Sequence, residues 1–384
     1  MNWFDFYRGK KVLVTGHTGF KGSWMTAMLL EAGAEVTGYA LEPDTRPALF
    51  DLCKFSENLN SIIGDVRDIE KLKAVFQETR PEIVIHMAAQ PIVRESYRSP
   101  VYTYDVNVMG TVNVMECVRL CDSVRSVVNV TTDKVYKNRE WCWGYRENEE
   151  LNGFDPYSNS KSCSELVTSC YRDSFLKEAG VAVSTARAGN VIGGGDFAAD
   201  RIIPDCVRAV DAKREILVRN PHSVRPYQHV LEPVAAYLRL AAAQYENMDF
   251  AGSYNVGPEE SDCLTTGELT ELFCRKWEER TGCRPVWTEG RQEGPQVGEE
   301  KDGGKWNGRK KSQAGKRSKE PHEAGYLRLD CSRIKERLGW EPVWSMERTM
   351  EMLTEWYALY HCHGDIQACM ERQIRIFLQD SLNI

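Results

Sequence analysis

The sequence predicts an α/β fold in which a doubly wound parallel sheet is followed by a smaller C-terminal substrate-binding domain. Short apolar runs alternate with longer helical patterns through the first half of the chain, as in a parallel sheet covered by helices on both faces. After about Gly189 this alternation stops, and Pro, Gly and short strands mix with isolated helices. We therefore expect a first domain at 1–190, to which later segments return, and a second domain at 191–384.

Six strands and four long helices are predicted in the first half. Asp68 stands where it can cap the second helix, and Pro156 lies near the first turn of the fourth, where its fixed φ fits. The predicted strands are Lys11–Thr15, Glu35–Ala40, Ser61–Ile63, Glu82–Met87, Ser126–Val130 and Ala182–Ala188. The predicted helices are Phe20–Ala32, Asp68–Thr79, Pro100–Leu120 and Pro156–Ala179.

Composition narrows the class of protein. The 384 residues carry a formal net charge of −7, which favours neither nucleic acid nor an anionic membrane as a partner. None of the 13 cysteines forms a CxxC pair, so we expect reduced thiols and no metal site. The start of the chain does not resemble a signal peptide, and no apolar run approaches the roughly 20 residues of a membrane span. The expected location is the cytoplasm.

One segment, Glu289–Gly325, consists almost entirely of Gly and polar or charged residues. Such a segment buries too little apolar surface to offset its ordering entropy, so we expect a mobile insertion. The flanking strands are predicted near Pro285–Thr288 and Tyr326–Asp330. Its basic stretch, Arg309–Lys319, is interpreted either as a solvated loop or as a site for an anionic partner.

The first predicted strand leads into a glycine-rich turn and then a helix. The glycines Gly16, Gly19 and Gly22 follow a G-x-x-G-x-x-G spacing. The first glycine suits the tight turn, the second lets a pyrophosphate approach the backbone, and the third lets the helix pack on the sheet. The free N–H groups of the helix start attract phosphate. This strand–turn–helix context predicts a dinucleotide site.

Residues at other strand ends fit the same cofactor. Asp65 follows the third strand and is interpreted either as an adenine contact or as a helix cap, and the small Ala88 and Ala89 follow the fourth. The acidic residue expected for the ribose arrives late, as Glu42 with Arg46 nearby. These residues alone leave NAD and NADP open.

A Tyr-x3-Lys pair marks the expected reaction site. Tyr157 and Lys161 share one face of the fourth predicted helix, and Thr132 follows the fifth strand at the carboxyl end of the sheet, where ligands bind. A nearby ammonium lowers the pKa of a phenol. We therefore expect Tyr157 to take a proton from a substrate hydroxyl while hydride leaves, with Thr132 fixing that hydroxyl.

Several motifs resemble those of the extended short-chain dehydrogenases that modify nucleotide sugars: TGHTGFKG, HMAAQ, DVNVMGT, TTDKVY, PYSNSK and RAGNVIGGGD. Within that family the chain is most similar to the CDP-glucose 4,6-dehydratases, through GHTGFKGSW, GYALEPDTRPALF, TTDKVYKNREWCWGYRE and HEAGYLRLDCSRIKERLGWEP. The resemblance covers nearly the whole chain except about 289–320. It implies a Rossmann-type sheet, a lyase, tightly held NAD and CDP-glucose as substrate.

The resemblance also implies three groups of site residues. The catalytic group is Thr132, Asp133, Lys134, Tyr157 and Lys161. The cofactor group adds to Tyr157 and Lys161 the residues Gly16, His17, Thr18, Gly19, Phe20, Lys21, Gly22, Asp65, Val66, Ala88, Ala89, Gln90 and Asn107. The substrate group is Asn190, Arg201, Arg225 and His229.

The Asp133-Lys134 pair sets the implied reaction apart from that of the family's epimerases, which carry small residues at these positions. Tyr157 would deprotonate the carbon-4 hydroxyl as hydride passes to NAD. Asp133, kept protonated by burial, would donate to the carbon-6 hydroxyl while Lys134 removes the carbon-5 proton, and hydride would return to carbon 6. Lys134 acting instead as a fixed cation stays open. The product would be a 4-keto-6-deoxy sugar, an early step of deoxysugar biosynthesis.

Three alternative functions remain open beside this one. They are a nucleotide-sugar 4-epimerase, a 4,6-dehydratase that uses another nucleotide-glucose, and an inactive dinucleotide sensor.

An aromatic loop with Trp141, Trp143 and Tyr145 is interpreted either as a cover for the sugar or as local packing.

The resemblance also implies a homodimer or homotetramer, since family members pair through two long helices. Here these would be Pro100–Leu120 and Pro156–Ala179. Val106, Met109, Val112 and Met115 belong either to that interface or to the core.

Overall fold

A seven-stranded parallel sheet forms the centre of the molecule. The structure is a computed structural model that describes residues 3–55, 59–290 and 327–382. Its strands are β1 Lys11–Thr15, β2 Glu35–Ala40, β3 Leu59–Ile63, β4 Ile83–His86, β5 Ser126–Val130, β6 Ala182–Ala188 and β10 Ser253–Val256. The strand order is β10-β6-β5-β4-β1-β2-β3, and each pair of neighbouring strands runs parallel. This topology confirms the predicted α/β fold class.

Helices cover both faces of the sheet. Those of the first half are α1 Phe20–Glu31, α2 Leu49–Leu52, α3 Ile69–Thr79, α4 Val93–Arg98, α5 Pro100–Tyr104, α6 Gly110–Leu120 and α7 Pro156–Tyr171. Those of the second half are α8 Ile202–Asp211, α9 Leu231–Glu246, α10 Thr266–Thr281, α11 Ser332–Leu338, α12 Met346–His361 and α13 Ile366–Ser381. Apolar side chains of α3 and α6 form the core on one face, and those of α1, α9, α12 and α13 form the larger core on the other.

The two longest predicted helices of the first half each contain a π-helical turn. Pro100–Leu120 is continuous but widens at Asp105–Met109, between α5 and α6. α7 runs into a second π turn at Arg172–Leu176, so the helix ends before the predicted Ala179. The predicted caps are present: the Asp68 carboxylate accepts from the Lys71 backbone N–H at 3.1 Å, and Pro156 opens α7.

The seventh sheet strand, β10, comes from the second half of the chain. It pairs with β6 in the register Ser253↔Thr185 to Val256↔Ala188. The second half also contributes two small parallel pairs, β7 Val191–Ile192 with β9 Gln228–His229, and β8 Ile216–Val218 with β11 Trp287–Glu289. The division into domains at residue 190 stays a prediction.

The predicted strands beside the charged segment are only partly recovered. β11 begins at Trp287 rather than Pro285, and Leu329 forms a single parallel bridge with Tyr145. The segment predicted as mobile lies outside the described residues from position 291 onward. Among the described residues, no helix is long and apolar enough to cross a membrane.

Candidate functional site

A glycine cradle joins β1 to α1 at the carboxyl edge of the sheet. Gly16 has φ +81°, and a Cβ there would lie 2.8 Å from the Ala88 backbone nitrogen. A Cβ on Gly22 would lie 2.0 Å from the Gly16 carbonyl oxygen, so α1 packs directly on the turn. At Gly19 the nearest atom would be 3.5 Å away, an ordinary contact. Gly19 therefore keeps room beside the start of α1, where no side chain among the described residues caps the helix.

The side chains of the cradle point in different directions. The buried His17 imidazole lies 2.7 Å from the Ser61 hydroxyl, and burial lowers its pKa to about 4, so it is neutral. The Thr18 hydroxyl donates to the Leu41 carbonyl at 2.8 Å. Phe20 packs against the core. Lys21 extends toward the reaction site, and burial together with the cations Arg201 and Lys161 lowers its pKa to about 7.

Asp65 and Arg67 form an ion pair at the end of β3. The closest approach is 2.6 Å, and the hydrogen bonds from Arg67 lower the pKa of Asp65. Asp68, not Asp65, caps α3, so the helix-cap interpretation of Asp65 is wrong. A contact of Asp65 with adenine stays a prediction. The neighbouring Val66 is buried against Gly110, and Ala88 and Ala89 are half-buried after β4.

Gln90 and Asn107 link the end of β4 to the π turn before α6. The Gln90 backbone N–H donates to Asn107 Oδ1 at 2.8 Å, and the Gln90 amide donates to Thr103 Oγ1 at 2.9 Å. The Asn107 amide also donates to Ser160 Oγ of α7 at 2.9 Å. Both side chains are buried and are used to hold protein elements together. Their contact with a cofactor stays a prediction.

Thr132 and Asp133 follow β5 and lie side by side. The Thr132 hydroxyl donates to Asp133 Oδ1 at 2.9 Å, and the two residues are 6% and 2% exposed. Burial raises the pKa of Asp133, and the cations Lys134 and Arg225 only partly oppose this. Asp133 Oδ2 has no hydrogen-bond partner among the described residues. Burial therefore favours the protonated form of this carboxyl group, and one of its oxygens is uncommitted among the described residues.

Tyr157 and Lys161 lie on the first turns of α7, next to this acid. Burial raises the pKa of Tyr157 to about 12, and its hydrogen bond with Thr132 opposes that shift. The Lys161 ammonium donates to the Val130 carbonyl at 3.2 Å, and burial lowers its pKa to about 8. Lys161 is not one of the groups that lower the pKa of Tyr157, so the expected effect of its ammonium on the phenol is not seen in the protein alone.

A buried ion pair beneath the site was not predicted. Glu165 follows Lys161 by one helical turn and binds Arg187 of β6 at 2.8 Å, with both side chains no more than 3% exposed. Its carboxylate also accepts from the Thr131 and Thr185 hydroxyls, and its charge raises the pKa of Lys161. In the sequence, the i, i+4 spacing of Lys161 and Glu165 could have indicated that the two side chains lie on one face of the helix.

The predicted substrate residues come from three segments, namely the turn after β6, the start of α8 and the stretch that leads into β9. Arg201, at the start of α8, binds Asp196 at 2.9 Å, and its charge lowers the pKa of Tyr157. Arg225 is 7% exposed, and its guanidinium keeps one buried nitrogen without a partner among the described residues. Asn190 is half-buried and accepts from the Gln228 backbone N–H. His229 is buried between the Trp24 and Trp344 rings, and its contact with substrate stays a prediction.

The aromatic loop between β5 and α7 packs largely on itself. Trp141 stacks on Tyr145 with ring centroids 5.5 Å apart, and Tyr145 stacks on Tyr136 at 5.2 Å. Trp143 is 67% exposed. Local packing therefore accounts for Trp141 and Tyr145.

Comparison with known proteins identifies the family to which this fold and site belong. A family model described as GDP-mannose 4,6 dehydratase matches residues 13–353. The CDP-glucose 4,6-dehydratase of Salmonella typhimurium is 43% identical over 380 residues, which cover 97% of this chain and 98% of that protein. The chain belongs to the CDP-glucose 4,6-dehydratase family. The match spans both halves, including the segments that carry Arg201 and Arg225.

Solved structures share the fold of this CDP-glucose 4,6-dehydratase family member. The dTDP-glucose 4,6-dehydratase of Streptomyces venezuelae, determined with NAD bound, has a TM-score of 0.71 at 21% identity and covers 92% of this chain and 98% of its own. The UDP-glucose 4-epimerase of Thermus thermophilus, in complex with NAD, has a TM-score of 0.71 at 23% identity, with coverages of 90% and 98%. At these identities the likeness concerns the fold.

Proposed function

We propose that this protein is an NAD-dependent lyase that converts CDP-D-glucose to CDP-4-keto-6-deoxy-D-glucose and water. The observation that carries the proposal is the buried, hydrogen-bonded Asp133 beside Tyr157, because burial raises its pKa and keeps the proton that a leaving hydroxyl needs. The relative from Salmonella typhimurium supports the choice of CDP-glucose among nucleotide sugars.

The cradle at the start of α1 fits a dinucleotide. Gly16 and Gly22 have no room for a Cβ, whereas Gly19 has, and the helix start has no capping side chain among the described residues. The backbone N–H groups there would hold the pyrophosphate. NAD held there would supply the hydride acceptor and donor that the reaction needs.

Tyr157 takes the proton of the carbon-4 hydroxyl in this proposal. Thr132 lies near the phenol and lowers the pKa of Tyr157. Because burial holds the pKa of Tyr157 at about 12, the phenol needs a positive charge nearby to act as a base near neutral pH. Arg201 is a cation that lowers the pKa of Tyr157, and Lys161 lies one helical turn further along α7.

Asp133 and Lys134 carry out the elimination. Asp133 gives its proton to the carbon-6 oxygen, the carbon–oxygen bond breaks and water leaves. Lys134, in its neutral form, takes the proton from carbon 5. Lys134 returns this proton to carbon 5 when hydride adds to carbon 6. The proton that Tyr157 took from the carbon-4 hydroxyl then passes to Asp133 before the next turnover, so both groups are restored.

Arg225 and Arg201 are proposed to bind the diphosphate end of the substrate. The partnerless buried nitrogen of Arg225 supports this, because a buried guanidinium without an anion is costly. Asn190 would contact the sugar.

Exposed apolar side chains on α5, on α7 and on the π turns that follow these helices support a homodimer or homotetramer built on α5–α7. Val101, Met109, Leu166 and Phe175 are 82%, 49%, 57% and 47% exposed, whereas Val106 and Met115 belong to the core. All 13 cysteines are free thiols, which supports a reducing, cytoplasmic location.

The test is to incubate the purified protein with CDP-D-glucose deuterated at carbon 4 and follow the product by NMR with catalytic NAD. We expect a 4-keto-6-deoxy sugar with deuterium at carbon 6 and no net reduced cofactor. Mixing deuterated and unlabelled substrates should give no crossover of label. UDP-glucose, dTDP-glucose and GDP-mannose serve as matched controls.

Each outcome decides one part of the proposal. Turnover of a different nucleotide sugar in preference to CDP-glucose would overturn the base assignment and keep the chemistry. A change of configuration at carbon 4 without loss of water would indicate a 4-epimerase. No turnover of any donor would contradict the enzymatic function.

A further inference from the structure

Tyr237 lies in α9, outside every residue group that the sequence indicated. It is fully buried, and its hydroxyl has no hydrogen-bond partner among the described residues. A buried hydroxyl without a partner is uncommon because it loses its bonds to water. Tyr237 faces the reaction site: the Lys21 ammonium lies 5.7 Å from its ring centroid, and the nearby Asp133 and Tyr157 raise its pKa together with burial.

Asp133 also has a buried oxygen atom without a hydrogen-bond partner among the described residues. Oδ1 accepts from Thr132, but Oδ2 is buried without a partner in the described part of the chain. A neutral carboxyl group tolerates this better than a carboxylate does. Once it has given its proton to the departing hydroxyl, a carboxylate with a single donor is left in a site that excludes water, which is unfavourable.

We propose that Tyr237 is a further positioning residue of the dehydration, whose hydroxyl donates a hydrogen bond, directly or through one water, to Oδ2 of the Asp133 carboxylate that forms when water leaves. The inference rests on the proposed function, which makes Asp133 the acid. No proton passes from Tyr237. The hydrogen bond stabilises the conjugate base of the acid and so favours proton donation.

Tyr237 suits this role because burial keeps it neutral. Burial raises its pKa above the ordinary value for tyrosine, so the phenol is a hydrogen-bond donor near neutral pH. The titratable or charged groups that interact with Asp133 come from several elements and are Lys134, Lys21 of α1, Tyr157 of α7, Arg225 of the loop before β9, and Tyr237 itself.

The experiment compares Tyr237→Phe with Tyr7→Phe. Both tyrosines are fully buried, but the Tyr7 hydroxyl donates to the Leu238 carbonyl of α9 at 2.6 Å. Tyr237→Phe keeps the ring beside Lys21 and removes only an unpaired hydroxyl, so we expect a Tm no lower than that of the wild type. Tyr7→Phe breaks an existing bond, and we expect a lower Tm with unchanged kcat, KM and pH profile.

Two functional readouts test Tyr237→Phe. We expect kcat with CDP-glucose to fall about tenfold at unchanged KM, since a hydrogen bond to a charged group is lost. We also expect Asp133 to titrate at higher pH, measured as the infrared carbonyl band of its protonated form and identified by its absence in Asp133→Asn. The alkaline limb of the kcat profile should shift in the same direction.

The inference would be overturned if Asp133 titrated in Tyr237→Phe at the same pH as in the wild type. It would also be overturned if kcat did not change or if only KM changed. The infrared titration needs no turnover. If the wild type did not convert CDP-glucose, the proposed function would fail, and the titration would still decide whether Tyr237 stabilises the Asp133 carboxylate.

Discussion

The Cβ atom that alanine would add at Gly22 falls 2.0 Å from the carbonyl oxygen of Gly16. Both partners in that contact are backbone, so neither can move aside as a flexible side chain would. At Gly19, three residues earlier, the same substitution meets that oxygen at 3.5 Å. The two glycines therefore have different physical roles in one turn.

Gly22→Ala should unfold the cradle, and Gly19→Ala should not. We expect Gly22→Ala to lower Tm markedly and abolish NAD binding, because α1 must move away from β1. Gly19→Ala should keep the wild-type Tm but weaken NAD binding, since its methyl group occupies the space beside the helix start. Thermal unfolding and calorimetric titration with NAD distinguish the two. Equal NAD affinity of Gly19→Ala and wild type would show that the cofactor does not approach Gly19.

Asp133→Asn and Lys134→Met should stop the reaction at different points. Both should lose water elimination by a factor of about 10² or more, the usual contribution of a general acid or base. In both, hydride should still leave carbon 4, seen as absorbance of reduced nicotinamide on mixing with CDP-glucose.

Deuterium exchange separates the acid from the base. In deuterated water, Asp133→Asn should return CDP-glucose with deuterium at carbon 5, because Lys134 still removes that proton. Lys134→Met should return it unlabelled. Exchange at carbon 5 in Lys134→Met would assign the base to another group.

Glu165→Gln should be strongly destabilising. It leaves the buried guanidinium of Arg187 without a counter-charge, a loss of about 3–5 kcal/mol in the free energy of unfolding. Asp122→Asn is the matched control: its pair with Arg80 has a similar 2.8 Å distance but is 80% and 57% exposed, so we expect less than about 1 kcal/mol. Urea unfolding of both variants measures the difference. A Glu165→Gln effect no larger than that of the control would argue against a structural role for this pair.

The strands that the sequence predicted best are those buried on both faces. Ser126–Val130 and Ala182–Ala188 have the predicted bounds because a central parallel strand is a continuous run of buried residues between polar turns. β10 has only four residues, SYNV, with Asn255 inside. That asparagine is accommodated by Tyr136 and by the Tyr145 carbonyl, partners far away in the sequence. No local pattern could reveal it.

The same reason explains which site residues were missed. Tyr157 and Lys161 stand in a recognisable spacing next to a predicted strand end. Tyr237 lies among alanines and leucines of an apolar helix, where a buried tyrosine is usually part of the core. Its place near the reaction site follows from the packing of α9 on β5 and α1 and not from its neighbours in the chain.

Because of Glu232, we expect the free energy of unfolding to fall as the pH rises. It is 1% exposed and accepts from the Val343 and Trp344 backbone N–H groups, and burial raises its pKa to about 8. The unfolded chain ionises near the ordinary pKa of glutamate, so between about pH 4.5 and 8 the folded state holds one proton more. Its contribution to stability therefore falls as pH rises through this range, by about 1.4 kcal/mol per pH unit at most.

Glu232→Gln mimics the protonated carboxyl and removes this dependence. We expect the variant to gain stability relative to the wild type as pH rises from 5 to 8, measured by urea unfolding at several pH values. A difference between the two proteins that stays constant over this range would show that Glu232 is ionised in the folded state.

The pairing of β10 with β6 also bears on how the chain is synthesised. β6 leaves the ribosome well before its outer neighbour, so its edge has no partner until Ser253–Val256 has been made. During that interval an unpaired strand edge is open to wrong pairing with other nascent chains. Truncation at residue 190 would make this interval permanent, and such a fragment should aggregate instead of forming an independent cofactor-binding unit.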